Sequence, residues 1–211
     1  MPISRRLLLS LLPLAGAGFA RVADAQGADP HMSVRTLGSP SAPVTVTEYF
    51  SLTCPHCARF QREIFPQIKA KLVDTGKLQY QWSEYPLDQT ALMASQVARY
   101  LPPDRYEPFI DALLQTQDRW AYAPGVNSTE ELAKMAALAG MPRATFNQAI
   151  ADTALRNAIL TGEDQAQAIL HVDSTPTFIF HGANGRSRTE SGEMSYDEFA
   201  KNVAEVGGAT G

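Results

Sequence analysis

Only two cysteines occur in 211 residues, Cys54 and Cys57, and they stand three positions apart. That scarcity excludes a scaffold stapled by several disulfides and leaves no second pair inside the chain to receive electrons. Any redox chemistry must therefore run between this protein and another molecule. Positive charge is also scarce: 18 Lys and Arg stand against 22 Asp and Glu, with no basic cluster, which argues against nucleic acid or anionic lipid as a partner. Beyond residue 20 no stretch is apolar enough to span a bilayer, and there is neither an internal repeat nor a low-complexity tract. His31, His171 and His181 are scattered without ligand spacing, and Ala58 rather than histidine follows Cys57, which excludes the haem-attachment pattern.

The first 25 residues read as a secretory signal peptide. Arg5 and Arg6 precede an apolar stretch from Leu7 to Ala20 that is short for a membrane anchor, and Ala23-Asp24-Ala25 fits a small-residue cleavage site. The arginine pair also suits a twin-arginine signal, so both export routes stay open. Cleavage would leave 186 residues with 15 basic and 21 acidic side chains, a formal charge of −6, enough for one domain with a proper core.

Residues 26–43, rich in Gly, Asp, Pro and Ser, are expected to form a loose lead-in to a domain over 44–211. Val44 to Phe50 alternates β-branched and aromatic residues as a strand does and points straight at the cysteines. Phe60, Ile64, Ile68 and Leu72 then recur every four residues, the buried stripe of a helix that Pro66 should kink, and Gly76 suits its end. Leu78 to Tyr85 reads as a second strand, which makes a β-α-β unit with the cysteines at its first turn. From about 88 to 170 the strand signal gives way to helices punctuated by Pro102-Pro103, Pro124-Gly125 and Gly140-Met141-Pro142. Ser128 and Glu131 are expected to form a capping box there, and Pro142 suits a first helical turn. Thr177 to Phe180 and Arg188 to Ser191 read as a hairpin around the turn at Gly182 to Gly185, and Tyr196 to Val206 as a last amphipathic helix.

The chemistry centres on Cys54-Pro55-His56-Cys57. A sulfur at a helix start sits among unpaired backbone N–H groups at the positive end of the helix dipole, which favours the anion. Cys54, on an exposed turn, is thus the expected nucleophile, with Cys57 one helical turn further in as the resolving partner. Pro55 restricts the turn, and His56 can offer a ring N–H or a positive charge to the opened sulfur. Each effect favours the reduced state, which makes the disulfide more oxidising.

Thr47 to Cys57, together with Ser174-Thr175-Pro176-Thr177-Phe178 far downstream, resembles the DsbA family of periplasmic thiol-disulfide oxidoreductases. The resemblance covers nearly the whole chain after the leader and implies an α/β, thioredoxin-like fold interrupted by an all-helical insertion. It implies that Thr175-Pro176 is a cis-proline loop beside the dithiol that offers backbone groups to an extended substrate. Glu48 matches the family's buried acid, a carboxylate that exchanges a proton with Cys57; a solvent-facing strand glutamate is the competing expectation. Where some members place a lysine near that acid, Gln79 stands here, with Lys77 two residues earlier. The implied activity is periplasmic: the Cys54-Cys57 disulfide passes to reduced, unfolded secreted polypeptides, and a membrane partner resembling DsbB restores it. No cofactor and no metal are needed, and the protein acts as a monomer without stable membrane insertion.

Two other readings keep the cysteines but change the task. A reductase or isomerase of the same fold would run the electrons the other way, although residues 26–43 are too short for the dimerisation domain such isomerases carry. A metal-delivery module would use the cysteine pair to hold a soft ion such as Cu(I), yet no extra Met or His ligand lies close to the motif. His171 and His181 are expected at the surface, and Phe60, Ile64, Leu113, Leu114 and Trp120 in the core.

Overall fold

Strand β2 (Val44–Phe50) is the central strand of the molecule and carries the cysteines at its exit. The computed structural model describes residues 29–208; the leader expected over 1–25 and the start of the lead-in lie outside the described residues. A 3-10 turn (Pro30–Met32) leads to β1 (Arg35–Leu37), then β2, α1 (Pro55–Glu63) and α2 (Phe65–Ile68), the latter running into a wide π-type turn at Lys69–Val73. Next come β3 (Leu78–Glu84) and six helices: α3 (Gln89–Tyr100), α4 (Pro103–Gln115), α5 (Gln117–Trp120), α6 (Ser128–Leu138), α7 (Arg143–Ala151) and α8 (Thr153–Leu170). The chain closes with β4 (Thr177–Gly182), β5 (Ser187–Ser191) and α9 (Tyr196–Gly207). The five strands form one sheet in the order β1-β3-β2-β4-β5. β2 runs parallel to β3, as a β-α-β unit requires, and antiparallel to β4.

The alternation read in the sequence is the alternation of the sheet. Val44, Val46, Glu48 and Phe50 lie on one face of β2, in line with Leu78, Tyr80, Trp82 and Glu84 of β3, and all eight are buried. Over that face the Phe60 ring of α1 lies tilted 4.7 Å from Phe178, and Phe199 of α9 meets Phe178 and Phe180 at 5.7 and 5.1 Å. On the opposite face Tyr49 and Ile179 pack with Tyr85, Val172 and Ala166 of α8. Helices thus cover both faces, which places the end of β2 at a rim where several elements converge.

Three local expectations are corrected. The lead-in is not loose throughout: Arg35, Thr36 and Leu37 pair antiparallel with Trp82, Gln81 and Tyr80. Gly38 closes that edge at φ 95°, where a Cβ would lie 2.7 Å from the Leu78 carbonyl oxygen, so only glycine fits the approach. The cap of α6 is Asn127, whose side chain accepts from the Glu130 amide, and Ser128 is already helical; Pro142 likewise caps α7 from outside its first turn. A true capping box occurs instead at Ser195 and Glu198, at the start of α9.

Arg99 of α3 ties the helical segment to the sheet. Its Nε donates to Glu84 Oε1 at 2.6 Å, Tyr106 Oη donates to the same oxygen at 2.7 Å, and Arg99 also donates to the Ser33 carbonyl at 2.7 Å. The pair is buried, so neither charge has water to fall back on. Among the described residues no helix is long and apolar enough to cross a membrane.

Candidate active site

After Phe50 the chain makes a short hydrogen-bonded turn in which the Cys54 amide donates to the Ser51 carbonyl at 3.1 Å. Cys54 is the N-cap of α1 with extended backbone, and Pro55 follows at the first helical position, where its missing N–H costs nothing. This arrangement aims the amides of His56 and Cys57 at the Cys54 sulfur. From the other side the peptide bond between Thr175 and Pro176, which is cis, brings the Thr175 carbonyl oxygen to 3.2 Å from Cys54 Sγ.

The exposed turn expected for Cys54 is corrected here: as a residue it is only 3 % exposed, because the Thr175-Pro176 loop lies over it. Both cysteines are free thiols. The Cys54 thiol is nonetheless pulled down to about 5, chiefly by the hydrogen bond that Cys57 donates, with the Thr175 side chain and the two amides adding to it against the cost of burial. The Thr175 hydroxyl is buried without a hydrogen-bond partner. Cys57 moves the opposite way, raised well above its ordinary value first by burial and then by its neighbour Cys54 and by Glu48. One sulfur is thereby an anion at neutral pH and the other holds its proton, a division of labour that two equivalent thiols would lack.

Glu48 lies beneath the dithiol and is buried, so the solvent-facing alternative is set aside. Tyr80 Oη donates to Glu48 Oε2 at 2.8 Å. Burial raises Glu48 to about 8 in spite of that hydrogen bond, with the Cys54 charge adding to the rise. The position expected to replace a lysine is also corrected. Gln79 sits opposite Thr45, three residues along β2 from Glu48, and points to the other face, while Tyr80 is the side chain that meets the acid.

His56 carries its ring outward. Its Nδ1 lies 3.1 Å from Glu193 Oε1, and Arg59 donates to the same oxygen at 2.7 Å, so the amide of His56, not its ring, serves the sulfur. Below the motif Gln117 of α5 donates to the carbonyls of Leu52 at 2.8 Å and Cys54 at 3.1 Å, and the Tyr122 hydroxyl donates to the Thr53 carbonyl. An open hollow of about 450 Å³ borders Pro55 and Ala58 and is floored by Gln117 and Tyr122. His171 and His181 are exposed, the first in a left-handed helix cap and the second on β4 opposite Thr45. Sequence reasoning thus named Cys54, Pro55, Cys57, Thr175, Pro176 and Glu48, which the fold brings together, and missed Tyr80, Gln117, Tyr122, Arg59 and Glu193. Among the described residues no group of three or more His, Cys, Asp or Glu side chains is placed to hold a metal ion.

A strand that ends in a Cys-Pro-His-Cys turn with both cysteines buried, faced by a cis-proline loop, defines a thioredoxin-type site. A family model described as thioredoxin matches residues 32–204. The crystal structure of α-DsbA1 from Wolbachia pipientis superposes with a TM-score of 0.76 at 31 % identity, over 84 % of this chain and 92 % of that one. BdbD from Bacillus subtilis, in its oxidised form, shares the fold at a TM-score of 0.69 and 20 % identity, over 83 % and 94 % of the two chains. Among curated proteins, one from Rickettsia felis bearing the name "Putative protein-disulfide oxidoreductase" is 30 % identical over 168 residues, which cover 79 % of this chain and 58 % of its own length. A match of similar extent, 59 % of the relative's length, is found in Rickettsia prowazekii, so this chain spans under two thirds of these curated relatives. The chain belongs to the thioredoxin family and, within it, to the DsbA proteins.

Proposed function

We propose that the protein is an exported thiol-disulfide oxidoreductase that works as an oxidase in the periplasm and donates the Cys54-Cys57 disulfide to reduced, unfolded secreted polypeptides. The observation that carries this reading is the asymmetry of the two sulfurs, Cys54 held as an anion by Cys57, Thr175 and two helix amides, and Cys57 held as a thiol. Full reduction of the disulfide releases Cys54 as a stabilised thiolate, which makes passing the disulfide to a client favourable, and that is what an oxidant needs.

A client thiolate attacks Cys54 Sγ, the bond to Cys57 breaks, and Cys57 leaves with the electron pair and takes up a proton. Glu48, raised to about 8 and so mostly protonated at neutral pH, is the buried group that supplies it. A second client thiolate then attacks the client sulfur of the mixed disulfide and expels Cys54 as the anion. Two client thiols become one disulfide, and the protein becomes a dithiol. During the exchange the Thr175 backbone beside Cys54 holds the client in extended form. A membrane partner resembling DsbB reoxidises the dithiol, and the domain acts as a monomer after removal of residues 1–25, with residues 88–170 as its helical insertion.

The test mixes oxidised protein with a reduced, unfolded client and follows client disulfides with time. Transfer that is lost in Cys54→Ala is expected; transfer that survives in that variant refutes the mechanism. Titration against glutathione fixes the direction, since a potential close to thioredoxin's, about −270 mV, makes the protein a reductase instead.

A further inference from the structure

Glu193 lies outside the motif, 136 residues beyond Cys57, yet it is anchored beside the cis-proline loop and meets two side chains of α1, His56 and Arg59. The Gly192 amide donates to the Pro176 carbonyl at 2.8 Å, and three residues on Ser195 enters the capping box of α9. The segment between them is thus tied to the cis-proline loop at one end and to a helix start at the other. Its carboxylate accepts from Arg59 at 2.7 Å and faces His56 Nδ1 at 3.1 Å, both through Oε1. An ionised carboxylate only accepts, so Nδ1 carries the proton in this pair and the ring is aimed away from Cys54.

We propose that Glu193 is a positioning residue that restrains the oxidising power of this dithiol, by holding the His56 ring and the Arg59 guanidinium and by placing a negative charge near the sulfur that becomes an anion. The inference rests on the reading of Cys54 and Cys57 as an exchanging dithiol. Two effects act in the same sense. The carboxylate repels the Cys54 anion, and it occupies the two positive or proton-donating groups of α1 that would otherwise stabilise that anion. Removing the charge favours the reduced protein twice over. The groups are partly exposed, with side-chain exposures of 56 %, 50 % and 28 % for His56, Arg59 and Glu193, so solvent screens the effect to the scale of a surface ion pair.

The experiment measures the equilibrium in which the protein disulfide and two glutathione thiols become the protein dithiol and one glutathione disulfide. Wild type, Glu193→Gln and Glu193→Lys are compared with Glu193→Asp. The constant is expected to rise about two- to fivefold in the Gln variant and further in the Lys variant, with Asp between wild type and Gln. The increments should shrink in strong salt, which a merely structural role would not produce. In a His56→Ala background the Glu193→Gln increment should be smaller, because one of the two groups that the carboxylate occupies is gone. A constant that is unchanged or lower in Glu193→Gln, or a Lys variant below the Gln variant, overturns the proposal. A wild-type protein that forms no disulfide with glutathione at all instead removes the functional reading beneath it.

Discussion

Replacing Cys57 by alanine removes the strongest of the groups that hold Cys54 as an anion. With Cys54 at about 5 against an ordinary value near 9, the reduced protein gains stability from this group in full above pH 9. Below that the gain shrinks by about 1.4 kcal/mol per pH unit and is gone below pH 5. At pH 7 only the two pH units above 5 count, so the gain is about 2.7 kcal/mol, roughly a hundredfold in the dithiol-disulfide equilibrium. A hydrogen bond to a charged group contributes about 1.5–3 kcal/mol, so Cys57→Ala should raise the Cys54 midpoint by about one to two pH units. Cys57→Ser keeps a donor and should fall between the two. The midpoint is read from the ultraviolet absorbance of the thiolate as pH is varied, a probe that needs no reagent to reach a buried sulfur. A wild-type midpoint near 9, or the same midpoint in wild type and Cys57→Ala, would refute the electrostatic account of the site.

Glu48→Gln should stabilise the protein at neutral pH. An acid raised from the ordinary range to about 8 destabilises the fold as pH climbs from about 4.5 to 8, by about 3 kcal/mol at pH 7, and glutamine removes that slope. Denaturant unfolding of both proteins at several pH values should therefore diverge upward from pH 4.5, and parallel profiles would count against the assignment. Arg99→Met should cost about 3–5 kcal/mol in the same assay by leaving Glu84 buried without its partner, and adding Glu84→Gln should recover part of the loss. If the double variant is no better than the single one, the charge left behind is not the cause. Phe199→Ala should cost about 3–5 kcal/mol by opening a cavity among Phe60, Phe178 and Phe180, with little change in the Cys54 midpoint because the sulfur's own partners stay in place.

Much of the architecture was legible because it rests on short-range physics. The period of two in Val44 to Phe50 placed β2, and the same period shows why Glu48 is buried, since it falls in register with Val44, Val46 and Phe50. The fourfold recurrence from Phe60 placed the helix behind the cysteines, and the break at Ile64 ahead of Pro66 appears where proline denies a helix its hydrogen bond. The cap of α6 slipped by one residue because Asn127 and Ser128 are both competent caps, and packing chose between them. Strand β1 was missed because three residues carry too little pattern, and its evidence is a partner 43 to 47 positions away in β3.

The sequence alone determined which sulfur meets the helix start: Cys54 precedes Pro55, and backbone sterics make that junction an N-terminus whatever surrounds it. What surrounds it was decided by the tertiary structure. The Thr175 carbonyl that covers Cys54, the Tyr80 hydroxyl on Glu48, the Gln117 amide under the turn and the Glu193 carboxylate on His56 come from segments separated by 32 to 137 residues. No local rule links those positions, because only the closing of the sheet and the packing of helices on its faces sets the distances on which hydrogen bonds and charge interactions depend.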